Sequence, residues 1–170
     1  MEDLPISREI AAIVPEYTKC GDCAFVYERG RKKRPLAVKL DAVFDHLRTR
    51  QCTDLCLLRQ WAEGYTHQKN WVPLAFSWEL VLVPFKIRQP RISGDGAAGY
   101  FNFEQIEDLL LVEGQTMLRL KDGKTFPLLW TMATAQQHLL HGFLLQAMML
   151  NSFDTALFHR LHGRDHKDDR

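Results

Sequence analysis

Long apolar runs, catalytic glycine signatures and net charge are what this sequence has least of. No stretch approaches the roughly 18 uninterrupted apolar residues of a membrane span, and the longest candidate, Leu139 to Leu150, is broken by His141, Gly142 and Gln146. Met1 to Glu9 carries Glu2, Asp3 and Glu9 without an apolar core, so no signal peptide is expected there. Gly-x-Ser-x-Gly is missing, and Gly94-Asp95-Gly96 lacks the further glycine and helix start of a dinucleotide loop, so no enzyme activity is expected. The net charge is only +1 over 170 residues, which leaves no whole-molecule field to hold nucleic acid or a membrane surface. Any such binding must come from a local patch. Cysteine is sparse, with four in all; for the cytoplasmic location expected here they would be reduced, metal-bound or inert.

What is present begins with a meander signature between Tyr100 and Leu129. A short element, 101–108, leads into strands expected over 109–112, 116–120 and 125–129. Glu113-Gly114 makes the first turn and Lys121-Asp122-Gly123-Lys124 the second, where Asp-Gly is expected to supply positive φ angles. Earlier, 9–15 reads as an apolar run ended by Pro15, and 24–27 and 36–40 as strands flanking a loop that bends at Gly30. Irregular three- and four-residue spacing over Val43, Phe44, Leu47, Leu55 and Leu58 predicts one or two short helices, and 76–83 a strand. The polar, glycine-rich segment 86–99 predicts an exposed loop.

Beyond Trp130 the period becomes helical. Leu140, Phe143, Leu144, Ala147 and Met148 fall on one face, and Asn151 or Ser152 can cap a second helix in which Phe153, Leu157 and Leu161 recur. The expected fold class is therefore α+β: an antiparallel meander or partly closed sheet with short helices and a C-terminal helical hairpin. Residues 1–130 would form a β-rich core that binds DNA, 131–163 a helical hairpin that packs on it and self-associates, and 164–170 a frayed tail.

Charge is segregated along the chain. From Lys19 to Arg59 there are ten cations against five carboxylates, whereas Ile92 to Trp130 has three against six. Five of those cations, Arg29, Arg31, Lys32, Lys33 and Arg34, crowd one loop. Such a loop can neutralise phosphates and release counterions, and arginine is favoured in narrow A/T-rich minor grooves; it can equally be a solvated loop that keeps a sheet edge soluble. Arg88 and Arg91 are added as candidate DNA contacts. Cys20, Cys23, Cys52 and Cys56 form two close pairs that could hold structural zinc tetrahedrally, or act as small core residues. His138 with His141, and His159 with His162, are expected to be solvated on helix surfaces.

Read in order, several segments resemble the ComK family of bacterial competence transcription factors. They are Ile10-Ala-Ala-Ile-Val-Pro15-Glu-Tyr, Cys52 with Trp61-Ala-Glu-Gly64, Glu79-Leu-Val-Leu-Val-Pro84-Phe, Gly99-Tyr-Phe, and Leu120-Lys-Asp-Gly-Lys124-Thr-Phe-Pro-Leu. The order covers most of residues 10–145. Departures fall at Leu58-Arg-Gln-Trp61, Lys86-Ile-Arg88 and Ala98, and the family's C-terminal segment that meets a degradation adaptor has no counterpart. The resemblance implies an oligomer that binds A/T-rich double-stranded DNA, largely through the minor groove, to activate DNA-uptake genes, without a cofactor. The alternative is a protein-interaction adaptor, with or without zinc, that does not bind DNA.

Overall fold

The computed structural model describes residues 4–19, 21–30, 33–36 and 38–162, with side chains described as far as Ser152. An α+β fold is what it shows, and every strand pairing in it is antiparallel. Strands β1 (Ile10–Thr18), β2 (Gly21–Glu28) and β3 (Arg34–Leu36) form one meander. Helices α1 (Leu40–Arg50) and α2 (Leu55–Thr66) follow, and then a second meander of β4 (Leu74–Ser77), β5 (Leu80–Lys86) and β6 (Ala98–Asn102). The two join at β1 and β6 to give one sheet of order β3-β2-β1-β6-β5-β4. Because β3 and β4 are opposite edges, α1 crosses one face of the sheet and α2 continues round the β4 edge, where Ala62 packs with Ala75, Val81 and Leu145 on the other face.

The sheet is apolar on both faces, as a covered sheet must be. On the helix side Ile13, Val26, Leu36, Leu80 and Leu82 pack against Val43, Phe44 and Leu47 of α1. On the other side Val14, Phe25, Val83, Phe85 and Phe101 meet a second, three-stranded sheet. That sheet is β7 (Ile106–Val112), β8 (Gln115–Leu120) and β9 (Thr125–Pro127), with Leu118, Leu120 and Phe126 turned inward.

The meander expected between Tyr100 and Leu129 is present, with its turn chemistry redistributed. Two successive left-handed residues occur at Glu113 (φ 51°) and Gly114 (φ 82°), as a two-residue primed turn requires. In the second turn only Gly123 is left-handed, and its N–H donates to the Leu120 carbonyl at 2.8 Å. Double burial also explains a missed turn. The expected single strand over 76–83 is in fact the β4–β5 hairpin, turning at Trp78-Glu79 without glycine or proline, and an apolar run buried on both faces gives no alternation to mark the bend. Buried Asn102 fixes that turn by donating to the carbonyls of Glu79 and Ile10, both at 3.0 Å. Pro15 does not end β1, because β6 pairs with β1 only at Ala12 and Ile13 and makes no ladder bond at the proline.

The expected C-terminal helical hairpin is not formed: α3 is one continuous helix, Met132–His162. Ser152 does not cap a new helix; its hydroxyl donates back to the Met148 carbonyl at 2.9 Å inside the existing one. The face expected to pack is also displaced. Ala135, His138, Gly142, Leu145 and Gln146 are buried, while Leu140 and Phe143 are 61% and 57% exposed. The tail expected over 164–170 lies outside the described residues. No helix among the described residues is long and apolar enough to cross a membrane.

Gly142 sets the approach of α3 to the sheet. A Cβ there would overlap Val83 Cγ2 and stand 3.1 Å from Phe103 Cδ2. Alanine should gain up to about 1 kcal/mol of helix propensity, yet the β-branched Val83, fixed in β5, cannot yield. Gly142→Ala is therefore expected to lower stability by about 1–2 kcal/mol, and Gly142→Val by more, in urea denaturation; a stabilised alanine variant would show that the approach is looser.

Candidate nucleic-acid interface

The basic segment forms the connection between β2 and β3, as expected, with Gly30 at φ +62°. Its first residue is held from the neighbouring element, the Arg29 N–H donating to the Glu9 carbonyl at 2.9 Å, and its side chain is exposed. Arg31 and Lys32 lie outside the described residues.

The last two cations of the segment are engaged within the protein. Lys33 Nζ is 2.7 Å from Glu16 Oε2 and 4.7 Å from the centroid of the Phe25 ring. Arg34 lies in β3 and pairs with Glu28, which is 3% exposed, at 2.5 Å. Glu16 also accepts from the Tyr27 hydroxyl at 2.8 Å; burial first, and then this carboxylate, push that phenol's pKa well above its usual value.

The acidic meander touches this loop. Burial alone would raise the Asp122 pKa, but hydrogen bonds from the Lys124 side chain and backbone, and from the Gly30 backbone, hold the carboxyl below its ordinary value. The β8–β9 turn thus braces the β2–β3 turn.

Arg88 and Arg91 sit at the other end of β2. Arg88 Nη2 donates to both carboxylate oxygens of Asp22 at 2.7 Å, and its Nε donates to the Gly96 carbonyl at 2.7 Å. Both guanidinium carbons lie 4.2 Å from the centroid of the Tyr17 ring. The Tyr17 hydroxyl donates to Asp95 and accepts from the Arg91 backbone N–H, each at 2.7 Å. Arg88 is therefore largely enclosed, whereas Arg91 is exposed and lines an open groove of about 570 Å³ with Tyr17, Cys23, Lys39 and Asp95. Tyr17 had no functional signal in the sequence, because the aromatic platform is built from residues more than 70 positions apart. Lys39 was visible only as one of the ten cations.

The structure does not bring Cys23, Cys52 and Cys56 together as one group. Cys23 is half-buried beside Thr18, Cys52 and Cys56 are exposed, and Cys20 lies outside the described residues. Among the described residues, no group of three or more His, Cys, Asp or Glu side chains could hold a metal ion.

The expectation of solvated histidines on α3 is overturned for one pair. His138 and His141 are 5% and 8% exposed, and the His138 ring stacks on Trp130 at 4.3 Å. The side chains of His159 and His162 lie outside the described residues.

No family model, no curated protein and no solved structure matches this chain.

Proposed function

We propose that the protein is a DNA-binding transcriptional regulator of the ComK type, which contacts A/T-rich duplex largely through the minor groove and activates DNA-uptake genes. The observation that carries the reading is the placement of cations at both ends of β2, with exposed Arg29 at the β2–β3 turn and exposed Arg91, beside Lys39, at the opposite end. An eight-residue strand separates the two ends by roughly 25 Å, less than the ~34 Å of one duplex turn, so one site could span both. Arg31 and Lys32 add charge to the first end by sequence. Lys33 and Arg34 contribute less, since Glu16 and Glu28 already partner them. Arg88 acts by positioning the loop that carries Arg91.

Fluorescence anisotropy with A/T-rich and G/C-rich duplexes at two salt concentrations tests this. Affinity should fall steeply with salt and favour the A/T-rich duplex. The variant Arg29→Ala/Arg31→Ala/Lys32→Ala should weaken binding by about 10- to 100-fold and flatten the salt slope, while circular dichroism stays unchanged. Unchanged affinity would remove the β2–β3 loop from the interface. Absence of binding to either duplex would favour the adaptor instead.

A further inference from the structure

We infer that α3 is the dimerisation element, and that the apolar stripe it leaves exposed is covered by the C-terminal half of α3 from a second copy of this chain, antiparallel to it. The buried positions Ala135, His138, Gly142 and Leu145, with half-buried Met149, repeat at alternating spacings of three and four and seat the helix on the sheet. A second stripe at the same spacing, Leu140, Phe143, Ala147 and Leu150, faces away, with Leu140, Phe143 and Leu150 exposed by 61%, 57% and 39%. Its first members border an apolar groove of about 320 Å³ with Phe103 and Gln136. In sequence the spacing continues through Asp154, Leu157 and Leu161, which is the pattern of a coiled-coil seam.

Three observations select a second copy as the occupant. No Asp, Glu, Lys or Arg occurs between Thr125 and Phe153, so the exposed stripe itself offers no charge to a charged partner and suits an apolar one. Leu150, Asn151 and Ser152 are exposed in succession. Three such positions sweep most of the helix circumference at about 100° per residue, so α3 has left the core surface there while remaining helical to His162. A helical extension of this length is marginal alone in water and needs a packing partner. Antiparallel pairing supplies one: the spacings coincide when position 143 is set against position 161 of the second copy, 147 against 157 and 150 against 154. Each extension then covers the other copy's exposed stripe, in a closed two-fold arrangement. Asp154 adds one carboxylate from each copy, each set against position 150 of the other, and a register that brought the two carboxylates face to face would be disfavoured.

The inference stands apart from DNA binding, because the oligomer is measured without DNA and the substitutions avoid every cation assigned above. Sedimentation equilibrium of the full chain should give a dimer at tens of micromolar. Phe143→Lys and Leu161→Glu, each alone, should raise the dissociation constant by at least about 100-fold, with a loss of helical circular dichroism no larger than the extension itself supplies and near-ultraviolet dichroism of the core unchanged. Both changes in one chain set the introduced ammonium against the introduced carboxylate twice across the pair and should restore the dimer. A monomeric wild type, single variants that still dimerise, or a double variant that stays monomeric would each overturn the pairing; Leu161→Glu, beyond the residues seated on the sheet, guards against loss of fold as the cause.

Discussion

Replacing Asp22 with alanine should cost about 3–5 kcal/mol of folding stability, among the largest single-site effects in the molecule. Asp22 and Arg88 are 10% and 13% exposed, and Asp22 meets the guanidinium through both carboxylate oxygens. Removing the carboxylate leaves a desolvated cation whose Nη1 is already buried without a partner. Replacing both residues by neutral ones of similar volume removes that uncompensated charge. Asp22→Asn/Arg88→Met should thus lose less than the sum of the single variants, with a coupling of about 1–3 kcal/mol in a double-mutant cycle read by urea denaturation. Additive losses would show that the pair is solvated and does not brace the loop. Duplex titration of the same variants separates two roles for Arg88, since a phosphate contact would change affinity and leave the unfolding midpoint alone.

Local chemistry made the meanders legible. Glu113-Gly114, Lys121 to Lys124 and Gly30 mark turns through their own backbone preferences, so three hairpins could be placed from short windows. The spacing of Leu55 and Leu58 does not single out the cap of α2: Asp54 supplies it, accepting from the N–H groups of Cys56 and Leu57. The β4–β5 turn carries no such mark, because its geometry is set by Asn102, which is distant in sequence. The inward face of α3 was misread for a related reason. Leu140 and Phe143 are the larger apolar groups, but the sheet admits Gly142 at its closest approach and so turns them out.

The candidate site was legible as charge and illegible as geometry. Ten cations in one segment are visible by counting, but counting does not distinguish Arg29, whose side chain is exposed, from Lys33 or Arg34, whose charges meet Glu16 and Glu28. Nor does it show that Arg88 and Arg91 share one tyrosine. Those contacts arise when the two three-stranded meanders join at β1 and β6, a pairing of only two residue pairs that leaves no pattern in either segment.

Acidification should destabilise the fold through His138. Burial, then the neighbouring His141, lowers its pKa from 6.5 to about 4, although a hydrogen bond with the Trp71 backbone acts the other way. Burial lowers His141 as well. The rings lie 5.8 Å apart, and neither Nδ1 has a partner. In the window between about pH 4 and 6.5 the unfolded chain binds protons that the folded protein refuses, so stability rises with pH there and is lost as pH falls. A shift of this size removes about 2 kcal/mol between roughly pH 7.5 and 5 from His138 alone, with His141 adding in the same direction. His138 stacks between the sheet and Trp130, so charging it should loosen the N-terminal half of α3 first. Urea denaturation at the two pH values measures the loss, and hydrogen exchange locates it. His138→Phe keeps a ring against Trp130 and removes the titrating group, so the pH-dependent loss should shrink by at least half. An unchanged loss in that variant would assign the acid sensitivity to another group.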